Sequence, residues 1–253
     1  MPKYKDEKPF NPFLPPDPNL KVLELDRHIV VLNKYCILPR HFLLVSKGNV
    51  LVCKMLMVEF ESQASDLSED DVQKTWECLA EMEKENGRWL AFYNCGEFSG
   101  ARYFIPGSLT NPSQQHKHLQ FIPLPPKDEF SPFPDHLIEN NKDHDKSIPF
   151  QHYISPLPEN KTPSALYGTY QRLLQQANPE TRPNFSYNFV MTTQWMFIAP
   201  RTKDDYIGEG YKIAVNSTGM VGLLLTKSEE ETAFLERISP STVLAHVGKP
   251  WSV

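Results

Sequence analysis

Ser113-Gln114-Gln115-His116-Lys117-His118-Leu119-Gln120-Phe121-Ile122-Pro123 is the stretch on which the reading of this chain turns. Residues 117–123 read as a strand, in which side chains two apart share a face. His116, His118 and Gln120 then point one way, and Lys117, Leu119 and Phe121 the other. Two imidazoles and a carboxamide in a row cannot be buried without partners. The array is therefore chemistry, half of a metal site, or a solvated edge, and the stretch alone leaves all three open.

Working outward, 253 residues with 40% hydrophobic and 23% charged side chains describe an ordinary globular protein with room for a large core. A net charge of −5 lacks the basic footprint of a general nucleic-acid binder. Twenty-three prolines against 11 glycines point to ordered but irregular connections. Cys36, Cys53, Cys78 and Cys95 are well separated, and the sequence opens without a secretory signal, so a reduced cytoplasmic or nuclear compartment is expected. The longest apolar patch, residues 50–58, is short, contains Lys54 and cannot span a membrane.

Residues 1–19 read as an extended lead-in, and 28–33, 41–46, 89–94 and 117–123 as strands. Residues 68–85 read as a helix, opened by a capping-box-like Ser68/Asp71 pair and stopped by Gly87. Residues 123–163, with nine prolines, read as a long irregular crossing segment. A second helix starts at Thr162-Pro163, 187–191 and 195–199 form a hairpin, 222–226 is a short strand, and 229–238 a helix. Hairpin-joined strands with few helices indicate an α+β fold.

A strand, a glycine- and serine-rich turn and a second strand can surround a phosphate with backbone N–H groups and hydroxyls. Asn94–Ala101 followed by the histidine strand has that pattern. A neutral histidine facing such a cradle is a nucleophile if its second nitrogen is held by an acceptor. A closed metal site wants further ligands, and His28, His41, His136, His144, His152 and His246 show no second paired spacing. Cys95 reads more readily as a buried strand residue than as a reactive thiol, and Trp76 and Trp195 as core. Lys227, taken locally, reads as an edge residue before it reads as a phosphate-binding lysine.

The order Asn94-Cys-Gly-x-x-Ser-Gly-Ala followed by Ser-Gln-x-His-Lys-His-Leu-Gln resembles the fungal diadenosine tetraphosphate phosphorylases, also called ATP adenylyltransferases. These belong to the histidine-triad superfamily, beside galactose-1-phosphate uridylyltransferase. The resemblance runs through most of the chain: Asn11-Pro-Phe-Leu-Pro-Pro, Leu32-Asn-Lys-Tyr, Pro39-Arg-His-Phe-Leu-Leu-Val, Ser186-Tyr-Asn, Met191-Thr-Thr-Gln-Trp-Met, Pro200-Arg and Asn216-Ser-Thr-Gly-Met-Val-Gly-Leu-Leu-Leu-Thr-Lys. It implies a histidine-triad-like, largely antiparallel sheet flanked by helices. Residues 1–253 would form one nucleotidyltransferase domain, with a catalytic half at 20–126 and a half at 127–253 that completes the nucleotide site.

The resemblance also implies roles. His118 would be the nucleophile that takes up AMP and His116 its aligner. Gln120 stands where hydrolytic relatives carry a third histidine, which marks transfer to phosphate rather than water. Asn94, Ser99, Gly100, Ala101 and Gln120 match phosphate-contacting positions, Ser113 and Gln114 are further substrate-binding positions, and Asn33 and Lys34 fall near the nucleoside segment. Asn216, Met220, Gly222 and Lys227 match the part completing the site. The implied reaction is phosphorolysis of diadenosine tetraphosphate to ATP and ADP by a monomer. No cofactor is essential to it, and a divalent cation at most accompanies the polyphosphate. Neither nucleic acid nor membrane is an expected partner.

Three departures from the family pattern are expected to matter. The chain reads as beginning inside the family domain, without several dozen residues that include a polyphosphate-binding lysine. Residues 48–59 and 102–112 interrupt motifs and read as retained introns or exon-boundary errors. A catalytically impaired nucleotide binder, or a mis-spliced product, is therefore the rival from another class, and a dinucleoside polyphosphate hydrolase the rival enzyme.

Overall fold

A computed structural model describes residues 11–36, 38–48, 60–84, 87–100 and 116–252. The strands are Lys21–Glu24 (β1), His28–Leu32 (β2), Phe42–Ser46 (β3), Arg88–Cys95 (β4), His118–Leu124 (β5), Tyr153–Pro156 (β6), Tyr187–Met191 (β7), Trp195–Pro200 (β8), Asp205–Gly208 (β9) and Tyr211–Ala214 (β10). The helices are Glu69–Lys84 (α1), Phe133–Glu139 (α2), Pro163–Ala177 (α3), Ser217–Met220 (α4), Glu229–Ile238 (α5) and Pro240–Val247 (α6). Eight strands form one sheet in the order β1-β2-β3-β5-β4-β7-β8-β6, and β9 and β10 form a separate hairpin. Every pairing is antiparallel, so the fold is α+β with an antiparallel sheet flanked by helices, as expected.

Local sequence explains the main elements. The Ser68 hydroxyl accepts from the Asp71 N–H, while the Asp71 carboxylate accepts from the Ser68 N–H at 2.8 Å. This reciprocal box starts α1, and Glu69, Asp70 and Asp71 suit the positive end of the helix dipole. Pro163 opens α3 because a first-turn residue has no N–H obligation. The Thr192 hydroxyl accepts from the N–H groups of Gln194 and Trp195 and tightens the β7–β8 turn.

The sheet alternation sorts two cores. Leu44, Ala91, Tyr93, Leu119, Phe121, Phe189 and Ile198 face α1 and α3, whose Val72, Leu79, Leu166, Tyr170 and Leu173 pack against them. Leu90, Phe92, Ile122, Val190 and Phe197 face the other way, against α2, α4, α5 and α6. On that second face a small cluster of Phe13, Val31, Leu43 and Val45 lies toward the β1 edge. The histidine strand β5 pairs with β3 on one side and β4 on the other, so its polar face lies between the two apolar clusters.

Two expectations are corrected. Residues 222–226 are not a strand: Gly222 adopts φ +105°, in a turn that follows one-turn helix α4. Residues 123–163 are not wholly irregular, since they contain α2 and β6. Proline density hid both, because Pro134 sits at a first-turn position of α2 and Pro156 at the end of an edge strand.

The two halves of the chain meet where β4 pairs with β7 and where Gly100 touches residues 215–216. Gly100 has φ +78°, and a Cβ there would lie 1.8 Å from the Val215 carbonyl oxygen. Gly100→Ala is therefore expected to destabilise the fold by about 2 kcal/mol or more, from the left-handed backbone and the overpacked contact. A lowered urea midpoint measures this; an unchanged midpoint would mean that the two segments do not meet here.

Candidate active site

The polar face of β5 is buried rather than solvated. His116, His118 and Gln120 are 2%, 5% and 4% exposed. Each therefore needs partners, and the sheet supplies them. His118 Nδ1–H donates to the carbonyl of His116 at 2.9 Å, which leaves Nε2 unprotonated and without a protein partner among the described residues. His116 Nε2–H donates to the Ser46 carbonyl at 2.7 Å, and its Nδ1 accepts from the Asn11 side-chain amide at 3.1 Å. Both tautomers are set by backbone carbonyls. Burial lowers the proton affinity of His116 and pushes His118 down to about 4, so both rings are neutral at pH 7.

Aromatic rings pack around the pair. Phe13 lies 5.6 Å from each imidazole centroid, and Phe60 stacks on His116 at 5.2 Å. The lead-in read as merely extended thus places Asn11 and Phe13 in the site. The Asn-Pro-Phe tripeptide was the available signal, since an Asn side chain that caps its own turn (Phe13 N–H to Asn11 Oδ1, 3.0 Å) can aim its amide in one direction.

Beneath β5 the alternate side chain, Lys117, is 3% exposed. It reaches Glu61 at 2.8 Å, Asp71 at 3.2 Å and the Asp66 carbonyl at 3.0 Å. His28 Nε2 lies 2.7 Å from Asp71 Oδ1. Burial pushes the Asp71 carboxyl up, but the His28 hydrogen bond and the Lys117 charge outweigh it and hold the carboxyl well below the usual range. This paired network anchors the start of the histidine strand to α1.

Gln63 bridges the two strands where they diverge. Its Oε1 accepts from the His118 N–H at 2.8 Å, and its Nε2 donates to the Asn94 carbonyl at 3.0 Å. Asn94 Oδ1 accepts from Asn188 Nδ2, the Ser217 N–H and the Ser217 hydroxyl, which directs its own Nδ2 the other way. Asn188 is held in turn by Arg201, a buried cation that also donates to the carbonyls of Val215, Lys203, Asp204 and Val247.

Other expected residues fall as follows. Ser99 is buried, its hydroxyl bonded to the Gly96 carbonyl at 2.8 Å and its own carbonyl to Asn188. The Gly100 N–H donates to Asp204 at 3.3 Å. Asn33 contacts His41, which contacts Gln120, whereas Lys34 lies over the Tyr35 ring. Three residues of the C-terminal motif have the following places in the fold. Asn216 caps α4, its Oδ1 accepting from Thr218 and Gly219. Met220 is fully buried in the second apolar cluster, and Gly222 turns the chain beside Phe130. Lys227 is exposed, and its N–H donates to Glu231 at the start of α5. Ala101, Ser113 and Gln114 lie outside the described residues, as do 49–59 and 102–112 of the two interrupting stretches.

Among the described residues no group of three His, Cys, Asp or Glu side chains is placed to hold a metal ion, and no helix is long and apolar enough to cross a membrane. Cys95 is buried beside Tyr93 and Tyr187, and burial pushes its thiol up to about 12. Trp195 is core, with its N–H donating to Asp135 at 2.7 Å.

Comparison with known proteins settles the lineage. The family model of the Ap4A phosphorylase N-terminal domain matches residues 2–140, and that of the ATP adenylyltransferase C-terminal domain matches 146–250. The chain belongs to the Ap4A phosphorylase (ATP adenylyltransferase) family. It is 31% identical over 261 residues to diadenosine 5',5'''-P1,P4-tetraphosphate phosphorylase 2 of Saccharomyces cerevisiae, covering 90% of this chain and 72% of that protein. It is 30% identical over 227 residues to Protein APA1 of the same yeast, covering 79% of this chain and 62% of that one. The crystal structure of yeast Ap4A phosphorylase Apa2 in complex with Ap4A superposes with a TM-score of 0.78 at 28% identity, covering 97% of this chain and 82% of that one. The same enzyme in complex with AMP gives 0.78 at 29% identity, covering 96% and 81%. The fold is accordingly that of the histidine-triad-like Ap4A phosphorylases.

The buried neutral histidines generate a pH dependence of stability. His118 and His152 are both pushed by burial from 6.5 to about 4. Between those values the unfolded chain binds protons that the folded chain does not, so stability falls as the pH drops through this window. The Tm is expected to decline from about pH 6.5 toward pH 4, with a shallower decline in His118→Asn. A Tm flat across that range, or an equal slope in the variant, would contradict the assignment.

Proposed function

We propose that this chain phosphorolyses diadenosine tetraphosphate with inorganic phosphate, giving ATP and ADP through an AMP–histidine intermediate. The observation that carries the reading is the state of His118: neutral, with Nδ1–H on the His116 carbonyl and Nε2 without a protein partner among the described residues. The Nε2 lone pair attacks an α-phosphorus, the bond to the bridging oxygen breaks, and ATP leaves with the electron pair. The adduct places positive charge on the ring, and the same Nδ1–H···O=C bond, now charge-assisted, stabilises it. A phosphate oxygen then attacks the phosphorus, the P–N bond returns its electrons to Nε2, and ADP departs.

The other residues position the substrate. His116, fixed between Ser46 and Asn11, fixes the carbonyl that holds His118. Asn94 offers its side-chain N–H groups from the neighbouring strand, and Gln120 its amide from two residues along. Splitting the transfer into two displacements needs no metal in the covalent step, and a divalent cation would accompany the polyphosphate as part of the substrate. The molecule would work as a monomer on diadenosine tetraphosphate and phosphate. Gln120, in place of a third histidine, favours this reading over hydrolysis.

Incubation of the purified chain with diadenosine tetraphosphate is expected to release ATP and ADP only when phosphate is added. Phosphate-independent release would indicate a hydrolase, and binding without turnover an impaired relative. His118→Ala should lower the rate at least about a thousandfold and abolish the radiolabelled AMP adduct, whereas His116→Ala leaves measurable turnover. Equal and modest losses in both would defeat the assignment of nucleophile and aligner.

A further inference from the structure

His41 stands on the strand beside the nucleophile and was passed over in the sequence because it has no paired histidine spacing. It is buried at the entry to β3, between Asn33 and Gln120. The bonds through it run in one direction. The Tyr35 N–H donates to Asn33 Oδ1 at 3.0 Å, which fixes the Asn33 amide with its nitrogen toward His41. Asn33 Nδ2 lies 3.2 Å from both His41 Nδ1 and His41 Nε2, and because Nε2 faces Gln120 Oε1, which can only accept, the Asn33 donor is received at an unprotonated Nδ1. The ring proton is thereby placed on Nε2, which donates to Gln120 Oε1 at 3.1 Å.

Gln120 is the end of this relay. Its oxygen is taken by His41, so its Nε2 carries two donors with no protein partner among the described residues. The residue is 4% exposed and lies two positions from His118 on the same sheet face, opposite Leu43 and Phe92 on the adjoining strands. A buried carboxamide with free donors beside a phosphoryl-accepting nitrogen is suited to an anion. Turned over, the same carboxamide would show its oxygen to the anion and repel it, and would set N–H against N–H at His41.

We propose that His41 is a positioning residue that sets the Gln120 amide with its N–H groups toward the incoming phosphate, and that this relay, which begins in the β2–β3 connection, favours phosphate as AMP acceptor. The inference rests on the phosphorolytic reading above and deepens it. His41 touches neither nucleotide nor phosphate in this account. Both of its nitrogens are engaged, and it acts through Gln120 alone.

Two polar substitutions separate the contact from the fold, because a Gln amide reaches the place of imidazole Nε2 and an Asn amide that of Nδ1. In the full chain, His41→Asn is expected to raise the KM for phosphate at least tenfold. It should slow phosphate-dependent release of ADP from the isolated adduct at least tenfold more than it slows adduct formation from diadenosine tetraphosphate. His41→Gln, which keeps a donor on Gln120, should restore the phosphate KM to within about threefold of the parent. Asn and Gln variants that behave alike, or an Asn variant that loses both half-reactions equally, would overturn the proposal. A parent chain that forms no adduct would instead count against the phosphorolytic reading. The relay is still tested in that case: ¹⁵N NMR of the imidazoles should find His41 as the Nε2–H tautomer, and the Nδ1–H tautomer would sink the relay regardless of turnover.

Discussion

One hydrogen bond orders the site: His118 Nδ1–H to the carbonyl of the residue two before it. An extended strand makes that bond unusual, because alternate side chains stand away from their own backbone. It is reached here where the β3–β5 pairing begins, at Val45 and His118, and where the His116 backbone bridges to Ser62 instead. The departure frees the carbonyl of His116 for the ring, and the ring's remaining nitrogen is left without a protein partner among the described residues. Gln63, which holds both the His118 N–H and the Asn94 carbonyl, is the brace that keeps the fork open.

The sheet carries these polar groups at little penalty because each is matched locally. Two histidines, a glutamine and two asparagines would be prohibitive in an apolar layer without partners. Instead the stripe is continuous across β5, β4 and β7, with Asn94 opposite Asn188 in register. It lies between a small apolar cluster around Phe13 and the large one over α2, α4, α5 and α6. On the reverse face, Lys117 meets Asp71 and Glu61, so even the charged member of the motif is buried in a pair. Removing one partner of such a pair is far more damaging than the pair is stabilising.

Periodicity made the central elements legible. The alternation at 117–123 separated the two sheet faces, and the Ser68 box and Pro163 marked helix starts, because these signals are local. The same local pattern singled out the histidine pair, and the family resemblance singled out Asn94. What stayed hidden depends on long-range contact. His41 lacks a neighbouring ligand in sequence and meets Gln120 only across strands. Asn11 meets His116 over 105 residues of chain. That the Asn216–Met220 segment lies behind Asn94 is visible only once α4 is in place. Lys227 is exposed just before α5, and with no strand at 222–226 it is not the strand-edge residue that its local setting suggested.

The pairing of β4 with β7 has a consequence for how the molecule would respond to any ligand in this stripe. Family descriptions divide the chain between residues 140 and 146, yet the sheet is stitched across that division, with β4 from the first segment hydrogen-bonded to β7 from the second. Neither segment holds a finished half-site to which a ligand could cling while the other melts. Occupancy would therefore protect the backbone amides of both segments together. The hydrogen-exchange footprint of a small molecule touching a few side chains would spread over strands far from it, as a single cooperative block.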